Sequence, residues 1–111
     1  MSKRGDFELL CDIKEASRRI SVYTDKLSYD KFMKNRKTQD AVVRNLEIIG
    51  EAIKNLSIAL KRKHRDVPWK EMAGLRDRLI HQYFGVNLDT VWKIIRQELP
   101  DLAGRIDRIP A

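Results

Sequence analysis

Thr38-Gln39-Asp40-Ala41-Val42-Val43-Arg44-Asn45-Leu46-Glu47-Ile48-Ile49-Gly50-Glu51-Ala52-Ile53-Lys54-Asn55-Leu56-Ser57-Ile58-Ala59-Leu60 is the stretch that settles the fold class. Ala41, Leu46, Ile49, Ala52, Ile53, Leu56 and Leu60 fall on one face at helical spacing and predict a single long helix with a buried stripe. Val42, Val43, Ile48 and Ile58 widen that stripe, so the helix is expected to pack on more than one neighbour. Thr38 supplies a hydroxyl for its N-cap, and the helix is expected to continue up to the basic run that starts at Lys61. Gly50 in its middle costs up to about 1 kcal/mol relative to Ala, which points to a close helix crossing rather than a break.

The same periodicity extends in both directions. Upstream, Phe7, Leu10, Ile13, Ala16, Ile20, Tyr23 and Leu27 step by three and four behind Asp6, a candidate N-cap, and residues 28–33 read as a short helical turn. Downstream, Pro68-Trp69 opens a third helix carrying Trp69, Met72, Leu75, Leu79 and Ile80, ended by Gly85. Asn87 caps a fourth with Leu88, Val91, Trp92, Ile94, Ile95 and Leu99. Pro100 kinks or restarts the chain, and Leu102, Ile106 and Ile109 suggest a last short helix. No segment alternates as a strand would, and there is no repeat or linker. The expectation is all-α: a compact four- to five-helix up-down bundle in one domain spanning residues 1–111.

Composition narrows the function classes. Among 111 residues, 23 Lys and Arg stand against 16 Asp and Glu, a formal charge of +7, and 42% of residues are hydrophobic. That apolar share excludes a disordered chain, and no run approaches the roughly 20 apolar residues of a membrane span. The start of the chain has no signal-peptide apolar core, and the lone Cys11 cannot form an internal disulfide, so a cytoplasmic setting is expected. The positive excess suits a polyanion, nucleic acid first. It is densest at Lys61-Arg62-Lys63-His64-Arg65, where Lys61, Arg62, Lys63 and Arg65 are candidate RNA-binding residues; favourable placement of cations at a helix end explains the run equally well.

Chemistry-bearing residues are few. His64, His81 and Cys11 cannot supply a zinc set, Arg78 and Lys61 occupy the places where a di-iron bundle would need Glu, and no Gly-rich phosphate loop is present. Neither a metal nor a cofactor is expected. One stretch, Gly74-Leu75-Arg76-Asp77-Arg78-Leu79-Ile80-His81-Gln82-Tyr83-Phe84, concentrates two Arg, an Asp, a His and a Tyr.

Arg76, four residues, His81, one residue and Tyr83 spell R-x4-H-x-Y. The pattern resembles the signature of HEPN-domain ribonucleases, and specifically the HepT-like toxins of toxin–antitoxin pairs. The resemblance extends to Ile49-Gly50-Glu51-Ala52-Ile53-Lys54-Asn55-Leu56, to Val67-Pro68-Trp69-Lys70-Glu71-Met72-Ala73-Gly74, and to Val91-Trp92-Lys93-Ile94-Ile95 with Leu99-Pro100-Asp101-Leu102. It implies an all-α homodimer with two motifs facing one cleft, acting as a metal-independent endoribonuclease. It also implies a partner, the minimal nucleotidyltransferase antitoxin MntA, which transfers AMP to the motif tyrosine and silences the toxin. Carried onto this chain, Arg76 and His81 would be catalytic and Tyr83 the modified residue, with Asp77 in the polar slot after the arginine.

Elementary chemistry is compatible with that picture. Metal-free RNA cleavage uses the 2′-hydroxyl as nucleophile and needs proton transfer, which His performs near neutrality, and fixed positive charge, which Arg holds on phosphate oxygens. Spacing adds a constraint: Arg76 and Tyr83 share a stripe, but His81 lies about 140° around and ~7.5 Å along a straight helix from Arg76. Either the helix distorts near His81 or a second copy completes the site, and the second option also doubles the proton-transfer groups. Glu51 is a candidate to orient Arg76 or Arg78 as an ion pair; pairing with Lys54 is the plainer alternative. Two other readings stand beside the enzyme: a non-catalytic helical module that is partner or substrate of a nucleotidyltransferase, and a basic nucleic-acid binder without chemistry.

Overall fold

The computed structural model describes residues 4–79 and 85–110; His81 and Tyr83 lie outside the described residues. Helix α1 (Asp6–Tyr23) leads through a short α2 (Tyr29–Met33) into the longest helix, α3 (Arg36–Asn55). Short helices α4 (Ile58–Lys63), α5 (Trp69–Ala73) and α6 (Leu75–Leu79) follow, then α7 (Leu88–Lys93), a π-helical turn over Ile94–Glu98, and α8 (Leu99–Asp107). The described residues contain no β-strand.

The rods alternate in direction. Asp6, at the start of α1, bonds Ser57 just beyond the end of α3, so α1 and α3 run antiparallel. The α5–α6 pair packs back along α3, and the stretch from α7 through α8 returns with its last turn beside the start of α1. The up-down order expected from the sequence is therefore the observed one. Leu10, Ile13, Ile20, Leu46, Ile49, Ile53, Met72, Leu75, Leu79, Ile94 and Leu102 are fully buried between the rods. Removing each such side chain from water stabilises the fold by about 1.5–3 kcal/mol. Gly50 marks the crossing of α3 with α5: a Cβ there would stand 3.4 Å from the Met72 carbonyl oxygen and 3.5 Å from Leu75 Cβ.

Several boundaries differ from the sequence expectation. The helix over 38–60 is two helices, because α3 ends at Leu56 and the Ser57 hydroxyl accepts from Leu60 N–H to start α4. Ile58 is consequently 67% exposed instead of buried. Asn35, not Thr38, caps α3; its side chain accepts the Thr38 N–H at 3.0 Å. Asp6 lies inside α1 behind Gly5, and its carboxylate accepts from the N–H and hydroxyl of Ser57 at 2.8 and 2.6 Å. Those two bonds hold the Asp6 pKa below the usual aspartate value. Phe7 and Tyr23 point outward, the buried stripe of α1 running through Leu9, Leu10, Ile13, Ala16, Ser17 and Ile20.

At the C-terminal end the kink or restart expected at Pro100 takes the form of a π-helical turn followed by a new helix. Proline has no N–H to offer the Arg96 carbonyl, so an unbroken ladder of α-helical hydrogen bonds cannot form there. The chain widens by one residue, with Leu99 N–H reaching back to the Ile94 carbonyl, and then resumes as α8. Arg96 anchors this turn by stacking on Trp92, 4.3 Å from the ring centre, and by donating to the carbonyls of Thr24 and Leu27. Trp92 itself packs against Phe32 and edge-on against Tyr29, whose hydroxyl donates to Asp89.

Candidate active site

The first half of the R-x4-H-x-Y motif sits on α6. Gly74 separates this helix from α5, so the single helix expected from Pro68 onward is divided in two. Leu75 and Leu79, one turn apart, bury against α3 and fix which side of α6 faces inward. Arg76 and Asp77 are then left at the surface. Arg78, two residues after Arg76 and about 160° around the axis from it, turns to the other flank. There its guanidinium grips Glu98 with two parallel bonds, Nη1 to Oε1 at 2.8 Å and Nη2 to Oε2 at 2.7 Å.

This ion pair was invisible in the sequence, where Glu51 was the candidate partner. Glu51 lies exposed on α3 and accepts from the Asn55 side-chain amide through its carbonyl and carboxylate oxygens; it pairs with none of Arg76, Arg78 or Lys54 among the described residues. The Arg78 guanidinium holds the Glu98 carboxyl below the usual glutamate range, and the bond in turn raises the arginine's own pKa. Two-thirds withdrawn from solvent, the pair is screened less than a surface bridge.

Gly85 has a φ of 82°, in the left-handed region that favours glycine, and Asn87 caps α7 by accepting the Thr90 N–H as expected. The Asn87 backbone N–H donates to the Leu79 carbonyl at 2.8 Å, so residues 79 and 87 stand side by side. The positions of His81 and Tyr83 relative to Arg76 are not among the described geometry.

The basic run divides between two surfaces. Lys61, Arg62 and Arg65 line an open groove of about 590 Å³ together with Trp69 and Lys70, and two carboxylates, Asp66 and Glu71, share it with these cations. Lys63 and His64 border a different hollow beside Asp6, Ser57 and Ile109. The structure thus groups three of the four predicted RNA-binding residues and adds Lys70, whose membership depends on how α5 folds back and has no signal in the sequence. Trp69 anchors the groove wall: it is buried, and its indole N–H donates to the His64 carbonyl at 2.8 Å. Among the described residues no three His, Cys, Asp or Glu side chains gather as a metal site, and no helix is long and apolar enough to cross a membrane.

Comparison with known proteins places this architecture. No solved structure matches the chain. Its similarity to a protein of Thermococcus cleftensis named "Probable ribonuclease HepT" is 44% identity over 107 residues, covering 96% of this chain and 97% of the relative. A protein of Methanocaldococcus jannaschii, provisionally named as an RNase, is 44% identical over 109 residues, covering 98% and 90%. The family described as Ribonuclease HepT-like matches residues 13–109, a span that includes Arg76, His81, Tyr83 and Glu98. The chain belongs to the HepT-like ribonuclease family.

Proposed function

We propose that this chain is a metal-independent endoribonuclease, the toxin of a toxin–antitoxin pair silenced by AMP transfer to Tyr83. Membership of the HepT-like family over nearly the whole chain is the observation that carries the reading. The exposed Arg76, on a helix whose inward face is fixed by Leu75 and Leu79, supports it by presenting permanent positive charge to solvent.

The reaction needs no group from outside the RNA except proton carriers and cations. The ribose 2′-oxygen attacks the adjacent phosphorus, the bond from phosphorus to the 5′-oxygen of the next nucleotide breaks, and the products are a 2′,3′-cyclic phosphate and a 5′-hydroxyl. His81 takes the proton from the 2′-hydroxyl or gives one to the leaving oxygen, and two copies of the chain provide one imidazole for each task. Arg76 stabilises the charge that builds on the phosphoryl oxygens. Lys61, Arg62, Arg65 and Lys70 hold the flanking backbone of the strand. AMP on Tyr83 adds a competing phosphodiester and the bulk of an adenylate.

The test is cleavage of RNA by the purified chain in EDTA, with product ends identified by mass spectrometry. Cyclic phosphate ends from the wild type, lost in Arg76→Ala and His81→Ala, support the proposal. Undiminished cleavage in both variants removes the motif from the mechanism. Intact RNA together with AMP on Tyr83 after incubation with a nucleotidyltransferase and ATP identifies the chain as a modified partner instead of an enzyme.

A further inference from the structure

We infer that Glu98 is a positioning residue for the ribonuclease site: by clamping Arg78 it sets the rotation of α6 and hence the direction in which Arg76 meets RNA. The inference rests on the reading of Arg76 as part of that site. Helix α6 starts afresh after Gly74, so it does not inherit its direction from α5. Leu75 and Leu79 set which face of α6 turns toward α3, but apolar contact is not directional and leaves the fine rotation of the helix to other contacts. The paired bonds at 2.8 and 2.7 Å between Arg78 and Glu98 are directional, because a planar guanidinium meets a carboxylate edge to edge. With Arg78 held on one flank, Arg76 is left on the other.

Glu98 is the last residue of the π-turn over Ile94–Glu98, where the backbone winds less per residue than in an uninterrupted α-helix, so the turn sets the direction in which that glutamate leaves its helix. Other charges near the pair, Glu71 beside Arg78 and Lys93 beside Glu98, each favour the ionised forms.

The experiment compares the full chain with Glu98→Gln and with the charge exchange Arg78→Glu plus Glu98→Arg, checking each for wild-type far-UV circular dichroism. Glu98→Gln keeps size and one acceptor, so the fold survives while the two-bond clamp does not. Hydrogen exchange at the amides of residues 75–79 is expected to accelerate by about tenfold or more in Glu98→Gln, with α1 and α3 unchanged. On a fluorophore-labelled single-stranded RNA, kcat is expected to fall by about tenfold while KM stays within about threefold, and the charge exchange recovers most of both losses. Wild-type exchange at 75–79 in Glu98→Gln, or a folded charge exchange that recovers nothing, overturns the inference. A wild-type chain that leaves RNA intact overturns the ribonuclease reading instead, and the exchange rates then decide the clamp by themselves.

Discussion

Gly50 of α3 faces the Met72 carbonyl oxygen of α5 at a distance that leaves room for one methyl group and no more. Gly50→Ala is therefore expected to be neutral or to stabilise by up to about 1 kcal/mol, since the contact is ordinary and the helix gains a better residue. Gly50→Val is expected to destabilise by about 1–3 kcal/mol by pushing α5 away. Urea unfolding of the two variants checks the pair, and equal effects from both would contradict the crossing.

Arg76 is exposed and Arg78 is tied, so neighbouring arginines should respond differently to truncation. Arg76→Ala is expected to leave unfolding free energy within about 0.5 kcal/mol of wild type while lowering RNA cleavage by about a hundredfold or more. Arg78→Ala is expected to lower stability by about 1–3 kcal/mol, because it strands the Glu98 carboxylate. Thermal melts measured beside cleavage rates separate the two.

Asp6 and Glu98 both titrate below their ordinary values of 3.8 and 4.5 in the folded chain, through bonds from Ser57 and from Arg78 respectively. A depressed carboxylate stabilises the fold above its unfolded pKa, and that contribution disappears as pH falls through the lower folded value. Melting temperature should thus be insensitive to these groups near neutrality and drop below about pH 4.5. Asp6→Asn and Glu98→Gln should each flatten the acid limb of a melting curve series. An acid limb identical to wild type in both would contradict the assignment.

Lys61, Arg62, Arg65 and Lys70 share a groove that Lys63 does not enter. Binding of a single-stranded 2′-O-methyl RNA, which cannot be cleaved by this route, should weaken with salt. Each of Arg62→Gln and Lys70→Gln is expected to reduce the slope of log affinity against log salt by about 0.7. Lys63→Gln should leave the slope unchanged; an equal loss there would mean that the RNA path does not follow the groove.

Much of this architecture is legible from the chain itself, for reasons that also explain the exceptions. Ile49, Ile53 and Leu56 bury because helical spacing alone places them on one face, and that logic gives the rods. It fails at Ser57, since Leu56 and Leu60 continue the same spacing through a break that only the cap geometry shows. Arg76 could be singled out because its motif partners lie within eight residues in sequence. Glu98 could not, because it stands twenty residues from Arg78 and faces it only after the chain has turned back, from the end of a π-turn. Lys61 and Lys63 read alike in sequence; the direction of α4 separates them.

The π-turn before Pro100 also leaves this part of the chain room to change over evolutionary time. Deleting one residue from Ile94–Glu98 would close the wide ring to an ordinary α-helical turn, and α8 would keep nearly its present facing. Leu102 and Ile106 would then stay in the core, whereas a one-residue deletion just before Ile49 in α3 would turn every later side chain of that helix by about 100° and carry Ile49 and Ile53 off the buried face.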